Sequence, residues 1–119
     1  MKALLLVAHG SRREESNDEV RRLATRLAER AATRYPLVRC AFLELAEPSI
    51  PDGIEACIRA GAREVVVLPY FLSAGNHVVE DIPALVAAKS REHPGVTLRI
   101  APYLGTAAPI PELLLELAD

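Results

Sequence analysis

Residues 3–8 are six consecutive apolar residues, and His9-Gly10 follows at once. That junction limits the possible folds more than any other feature of the chain. A strand with one wet face alternates apolar and polar residues. An unbroken apolar run is buried on both faces, as in the inner strand of a parallel sheet covered by helices on each side. A second such run, residues 65–70, leads into Phe71-Leu72-Ser73-Ala74-Gly75-Asn76-His77. Each run delivers a histidine beyond the carboxyl end of a strand, the edge where open α/β sheets hold their ligands.

The rest of the chain alternates helix and strand signals. Ser16 with Glu19 forms a capping-box pattern. The helix after it carries an apolar stripe at Val20, Leu23, Ala24, Leu27, Ala28 and Ala31, while Arg21, Arg22, Arg26, Glu29 and Arg30 form a solvated face. Pro36 ends that helix and residues 38–43 read as the second strand. Ser49 is the N-cap of a short helix over 50–60, closed by Gly61. Residues 64–70 form the third strand and 71–82 a long loop of the kind that often carries function. Pro83 lies in the first turn of a helix running to Glu92. Residues 96–101 form the fourth strand, and Pro109 or Pro111 starts a last helix with Leu113, Leu114, Leu115 and Leu117. One face of that helix is expected on the sheet, leaving the other for a partner subunit. The expected fold is α/β, a three-layer sandwich with a four-stranded parallel sheet in the order 2-1-3-4. That order makes strands one and three neighbours at the switch point, with His9 and His77 across one crevice.

A length of 119 residues suits a single domain over 1–119. The net charge of −2 gives no basic footprint for nucleic acid. The first apolar run is too short to span a membrane and has no cleavage pattern after it, so the expected location is the cytoplasm. Cys40 and Cys57 match no zinc spacing and lie within apolar patterns, as reduced core thiols do. No Walker loop, G-x-G-x-x-G run or G-x-S-x-G elbow is present, so neither ATP nor NAD binding nor a serine nucleophile has support.

The candidate chemistry therefore rests on few residues. Two close imidazoles near carboxylates suit a divalent metal or a proton transfer. Gly10 lets the chain turn sharply after His9. Glu44 and Glu47 follow strand two, and alternation leaves open which of them faces the site. Ser73, Ala74 and Gly75 leave space beside His77, as a loop against a flat ligand requires. Glu80 and Asp81 follow His77, and Asp81 reads better as a helix cap. His93, at a helix end, reads as a contact with the helix C-terminus.

The segments Leu-Val-Ala-His-Gly-Ser-Arg (6–12), Phe-Leu-Glu-Leu-Ala-Glu-Pro-Ser-Ile-Pro (42–51), Val-Leu-Pro-Tyr-Phe-Leu-Ser-Ala-Gly-Asn-His (67–77), Asp-Ile-Pro (81–83) and Pro-Tyr-Leu-Gly (102–105) occur in an order that resembles the small sirohydrochlorin chelatases. These are class II, ATP-independent metal chelatases. The resemblance covers nearly the whole chain. It implies a chelatase-like fold of flavodoxin-type topology and insertion of Co²⁺, Ni²⁺ or Fe²⁺ into a tetrapyrrole, the metal being substrate rather than a tightly bound cofactor. It implies that His9 and His77 bind the metal and that His9 accepts a proton. It further implies that Glu44 or Glu47 lies near metal or substrate, and that Leu72, Ser73, Ala74, Gly75, Asn76 and His77 contact the macrocycle. Longer relatives carry two such units, which implies a homodimer for a short chain. Residues 88–95 hold only His93, so the histidine-rich insertion of some short relatives has no counterpart here.

The residue types agree with that chemistry. Metallating a tetrapyrrole removes two pyrrole N–H protons and strips water from the ion. Histidine can accept a proton or ligate a metal, but not both through one nitrogen at once. His77 is accordingly expected to hold the metal while His9 alternates between ligation and proton acceptance. Arg12 is placed to pair with a substrate carboxylate, with Arg13 on the surface. Two other classes use the same histidines. A metal or tetrapyrrole carrier binds without inserting. A histidine phosphatase also has His-Gly after its first strand, but with an arginine before the histidine, where this chain has Ala8.

Overall fold

The computed structural model describes the backbone of all 119 residues and every side chain except those of His77 and Val79. Four strands, β1 (Lys2–Ala8), β2 (Leu37–Phe42), β3 (Glu64–Pro69) and β4 (Thr97–Ile100), form one parallel sheet in the order β2-β1-β3-β4. This is the expected order, and it makes β1 and β3 neighbours from Lys2↔Glu64 to Val7↔Pro69. Four helices accompany the sheet: α1 (Glu14–Ala31), α2 (Ile50–Arg59), α3 (Ile82–Glu92) and α4 (Ile110–Ala118).

The strand period of two sorts β1 between two layers. Ala3, Leu5 and Val7 join Val65 and Val67 in a core with Ile50 and Ile54 of α2 and Ile82 and Val86 of α3. Leu4 and Leu6 turn to the opposite face, where Leu23 and Leu27 of α1 approach. Every residue from Ala3 to Ala8 is buried, as the unbroken apolar run requires. Ile50, Ile54 and Ile82 are essentially inaccessible, and burial of each stabilises the fold by about 1.5–3 kcal/mol. Among the described residues no helix is long and apolar enough to cross a membrane.

The helix α2 is capped as its sequence implies. Ser49 Oγ accepts from Asp52 N–H at 3.2 Å, and Gly61 follows the helix at φ +109°. Three other expectations need correction. The helix α1 begins two residues before Ser16, which lies inside it. The cause is Asn17, 1% exposed, whose Oδ1 accepts from Ser11 N–H at 2.9 Å while its Nδ2 donates to Ser11 O at 2.8 Å. This clasp holds the turn after His9 and leads the chain into the helix early. Residues 71–82 are not loop throughout, because His77–Asp81 forms a π-helical turn continuous with α3. Pro83, with no N–H and a ring that crowds the carbonyl four residues earlier, favours such a widened turn just ahead of it. Asp81 occupies the N-cap position of α3 without a side-chain cap bond. Its backbone is already helical (φ −70°, ψ −48°), which is not the extended geometry of a capping residue.

The helix α4 does not lay a face on its own sheet. Leu113, Leu114, Leu115 and Leu117 remain 49–84% exposed. The segment leading to it is fixed elsewhere: Gly105 N–H donates to Phe71 O at 3.0 Å, and α4 opens with Pro109 at its N-cap and Pro111 in its first turn. The sandwich thus consists of α1, the sheet, and the α2–α3 layer.

Candidate metal and proton-transfer site

The loops leaving β2, β1 and β3 meet at the carboxyl edge of the sheet. His9 emerges from β1 half exposed, and its Nε2 lies 2.7 Å from Glu44 Oε2 on the loop after β2. The backbone fixes this pair before the side chains do. Leu43 N–H donates to Ala8 O at 2.9 Å and Glu44 N–H to His9 O at 3.0 Å, so the two exit loops are stitched together. Gly10, at φ +95°, lies beneath Glu44, and a Cβ there would fall 1.7 Å from Glu44 O. Glycine is required by both conformation and space.

A carboxylate hydrogen-bonded to one ring nitrogen fixes the orientation of the imidazole. Glu44 also borders an open depression of about 360 Å³ with Leu43, Asp81, Ala84 and Leu85.

Glu47 plays a different part. Its carbonyl accepts from Arg21 at 3.2 Å and its side chain is exposed, so the structure brings Glu44, not Glu47, to His9. Arg21 is also more than a solvated residue of α1. It pairs with Glu14 and Asp18 and lies 5.2 Å from the Phe42 ring centroid, fastening α1 to the loop after β2. Arg12 is exposed two residues beyond Gly10. Leu72, Ser73, Ala74, Gly75 and Asn76 form an exposed stretch on the loop after β3. His77 begins the π-helical turn, but its imidazole lies outside the described residues. Among the described residues no group of three or more His, Cys, Asp or Glu side chains is arranged to hold a metal ion.

Sequence reasoning missed two apolar residues at this edge. Leu45 is 54% exposed with φ +65°, and Tyr70 is 41% exposed. With Leu72 they present exposed apolar side chains on the exits of β2 and β3. The one sequence signal for Leu45 is an apolar residue between Glu44 and Glu47 in a turn-rich stretch. Away from this edge, His93 ends α3 as expected, and its Nε2 also lies 2.8 Å from Glu55. Lys89 and Arg59 join the same carboxylate, which these partners hold down at about 2. Cys40 and Cys57 are free, and burial pushes both thiols up.

The family model CbiX matches residues 3–119. A chloroplastic sirohydrochlorin ferrochelatase of Arabidopsis thaliana is 43% identical over 86% of this chain and 44% of its own length. A sirohydrochlorin cobaltochelatase of Sulfolobus acidocaldarius is 32% identical over 100% of this chain and 91% of its own. The sirohydrochlorin chelatase SirB from Bacillus subtilis subspecies spizizenii, solved in complex with cobalt, superposes with a TM-score of 0.79 at 29% identity, over 97% of this chain and 48% of that one. The chain therefore spans less than half of some relatives and nearly all of others. With a family model matched from its third residue to its last, this chain belongs to the CbiX family.

Proposed function

We propose that the chain inserts a divalent metal, Co²⁺, Ni²⁺ or Fe²⁺, into sirohydrochlorin or a closely related tetrapyrrole without ATP. The observation that carries this reading is the His9–Glu44 pair at the carboxyl edge of β1 and β2. It unites the two chemistries of metallation: a nitrogen base that can ligate a borderline metal, and a carboxylate that steadies the base when it takes a proton. His9 alternates between the two roles, and His77 holds the ion during proton transfer. Leu45, Tyr70 and the stretch from Leu72 to Asn76 receive the macrocycle, and Arg12 pairs with one of its carboxylates. Two copies of the chain form the working unit, supported by relatives about twice its length that match it over one part.

The test is absorbance-monitored metallation of sirohydrochlorin by each ion, against the uncatalysed rate. We expect acceleration by the wild-type chain and a loss of about a hundredfold or more in His9→Ala, the lower range for removing a proton-transfer group. A folded wild-type protein that binds the tetrapyrrole but accelerates no metal would overturn the assignment in favour of a carrier.

A further inference from the structure

Most of the charge at the start of α1 is paired locally. Arg13 meets Glu15 at 3.1 Å, and Arg21 meets Glu14 and, at 2.8 Å, Asp18. Arg22 and Arg26 differ. Both are exposed, and among the described residues neither has an ion pair. Asp18, one turn before Arg22, is engaged by Arg21, and one turn after Arg22 comes Arg26 itself. Like charges at that spacing disfavour a helix, so the two arginines do nothing for the fold that accounts for them. Arg30 continues the row but borders a separate depression with Arg34 and Arg99.

The position of Arg22 and Arg26 is informative. With Glu19, Leu23 and Tyr70 they line an open depression of about 380 Å³. Tyr70 relates this depression to the His9–Glu44 pair. Its N–H donates to Val7 O at 2.8 Å, so it stands abreast of Ala8, the residue before His9. Neighbouring strands are only ~4.8 Å apart. Tyr70 is also 41% exposed. One residue thus stands beside the exit of β1 and in the wall of the arginine-lined depression.

We propose that Arg22 and Arg26 form a binding subsite for one carboxylate arm of the tetrapyrrole, with the edge of the macrocycle over Tyr70. This rests on the reading above that the ligand is sirohydrochlorin or a close relative, and it adds residues that select such a ligand. The metal enters at the centre of the ring, whereas the carboxylates are on its rim. Groups that grip the rim therefore belong to one side of the His9–Glu44 pair, where these arginines lie. A guanidinium binds a carboxylate through two parallel N–H donors, and two guanidiniums one turn apart can share one arm. Glu19 in the same wall leaves the depression one net positive charge, which matches a single carboxylate. Arg12 serves a different arm.

The test separates binding from turnover. Sirohydrochlorin without metal is titrated by absorbance into wild type, into the pair Arg22→Gln with Arg26→Gln, and into a control pair, Arg63→Gln with Arg91→Gln. The control removes the same charge at the opposite end of the sheet: Arg63 precedes β3 and Arg91 lies in the last turn of α3. Metallation kinetics are then recorded for all three. The Arg22/Arg26 pair is expected to raise Kd and KM about tenfold, the combined effect of two exposed charge contacts. The loss should fall on KM rather than kcat, as removal of binding shared by ground state and transition state requires. It should shrink as salt is added. The control pair should bind as wild type does. All four arginines are exposed, so circular dichroism should be unchanged. An Arg22/Arg26 pair that binds like wild type, or no worse than the control pair, overturns the subsite and leaves the metallation reading intact. A wild type that binds but metallates nothing, while the Arg22/Arg26 pair binds more weakly, overturns metal insertion and supports the subsite. A folded wild type that does not bind sirohydrochlorin overturns both.

Discussion

Replacing Gly10 with alanine separates the part of the site built by backbone from the part built by side chains. The new Cβ would lie 1.7 Å from Glu44 O, and an ordinary contact of about 3.5 Å then demands a displacement of nearly 2 Å. The left-handed backbone at φ +95° adds about 1–2 kcal/mol for any residue with a Cβ, and forced repacking adds about 1–3 kcal/mol. The midpoint, about 3–4 kcal/mol, corresponds to a fall in Tm of about 10–15 °C for a domain of this size. The same movement carries Glu44 away from His9, because a 2.7 Å contact lengthened by more than about 1 Å is no longer a hydrogen bond. Thermal unfolding by circular dichroism and the metallation rate below Tm read the two effects separately. Gly75→Ala is the control: nothing lies within 4 Å of a Cβ there and its φ is not in the left-handed region, so its Tm is expected to match wild type. A Gly10→Ala protein with wild-type Tm and rate would refute both the clamp and the dependence of the site on it.

Three further outcomes are expected. Glu44→Gln should shift stability by less than about 1 kcal/mol, since the pair is half exposed, yet slow metallation about 10–100-fold by removing the carboxylate that orients His9; an unaltered rate would remove Glu44 from the site. Gly75→Leu should unfold like wild type and still lower kcat/KM, because the side chain enters open space on the loop proposed to receive the macrocycle; an unchanged kcat/KM would move the macrocycle elsewhere. Glu55 is held at about 2, against 4.5 unperturbed, by Lys89, His93 and Arg59. A depressed carboxylate stabilises the fold fully above its unfolded pKa and loses that contribution as pH falls toward its folded one. The Tm of wild type should therefore fall more steeply than that of Glu55→Gln between pH 4.5 and 2; parallel profiles would deny the cluster a role in stability.

The layer order was legible because two uninterrupted apolar runs can only be inner strands, and right-handed crossovers between them leave few topologies. The start of α1 and the choice between Glu44 and Glu47 were not legible, and for one physical reason. Asn17 clasps Ser11 from six residues away, and Arg21 reaches the Glu47 carbonyl from 26 away. No local pattern encodes such contacts. The positive φ at Leu45 reverses the chain between the two glutamates, so alternation cannot say which one faces His9. The need for glycine after His9 was legible as a sharp turn. What demands it most, the Glu44 carbonyl packed against Gly10, appears only once the second strand lies beside the first.

The leucines of α4 show how the same kind of evidence can mislead. Leu113, Leu114, Leu115 and Leu117 read as a face destined for the sheet, and the physical inference that they must be covered is sound. The sequence does not say whose sheet covers them. Clamping of Gly105 against Leu72, together with Pro109 and Pro111, turns the helix away from its own domain. Truncating Leu113 to alanine should therefore barely move the Tm, because the side chain is 49% exposed and α4 packs closely on no other element among the described residues; a leucine laid on the sheet would cost about 2–5 kcal/mol when truncated, and a fall in Tm of that size would return the helix to its own sheet.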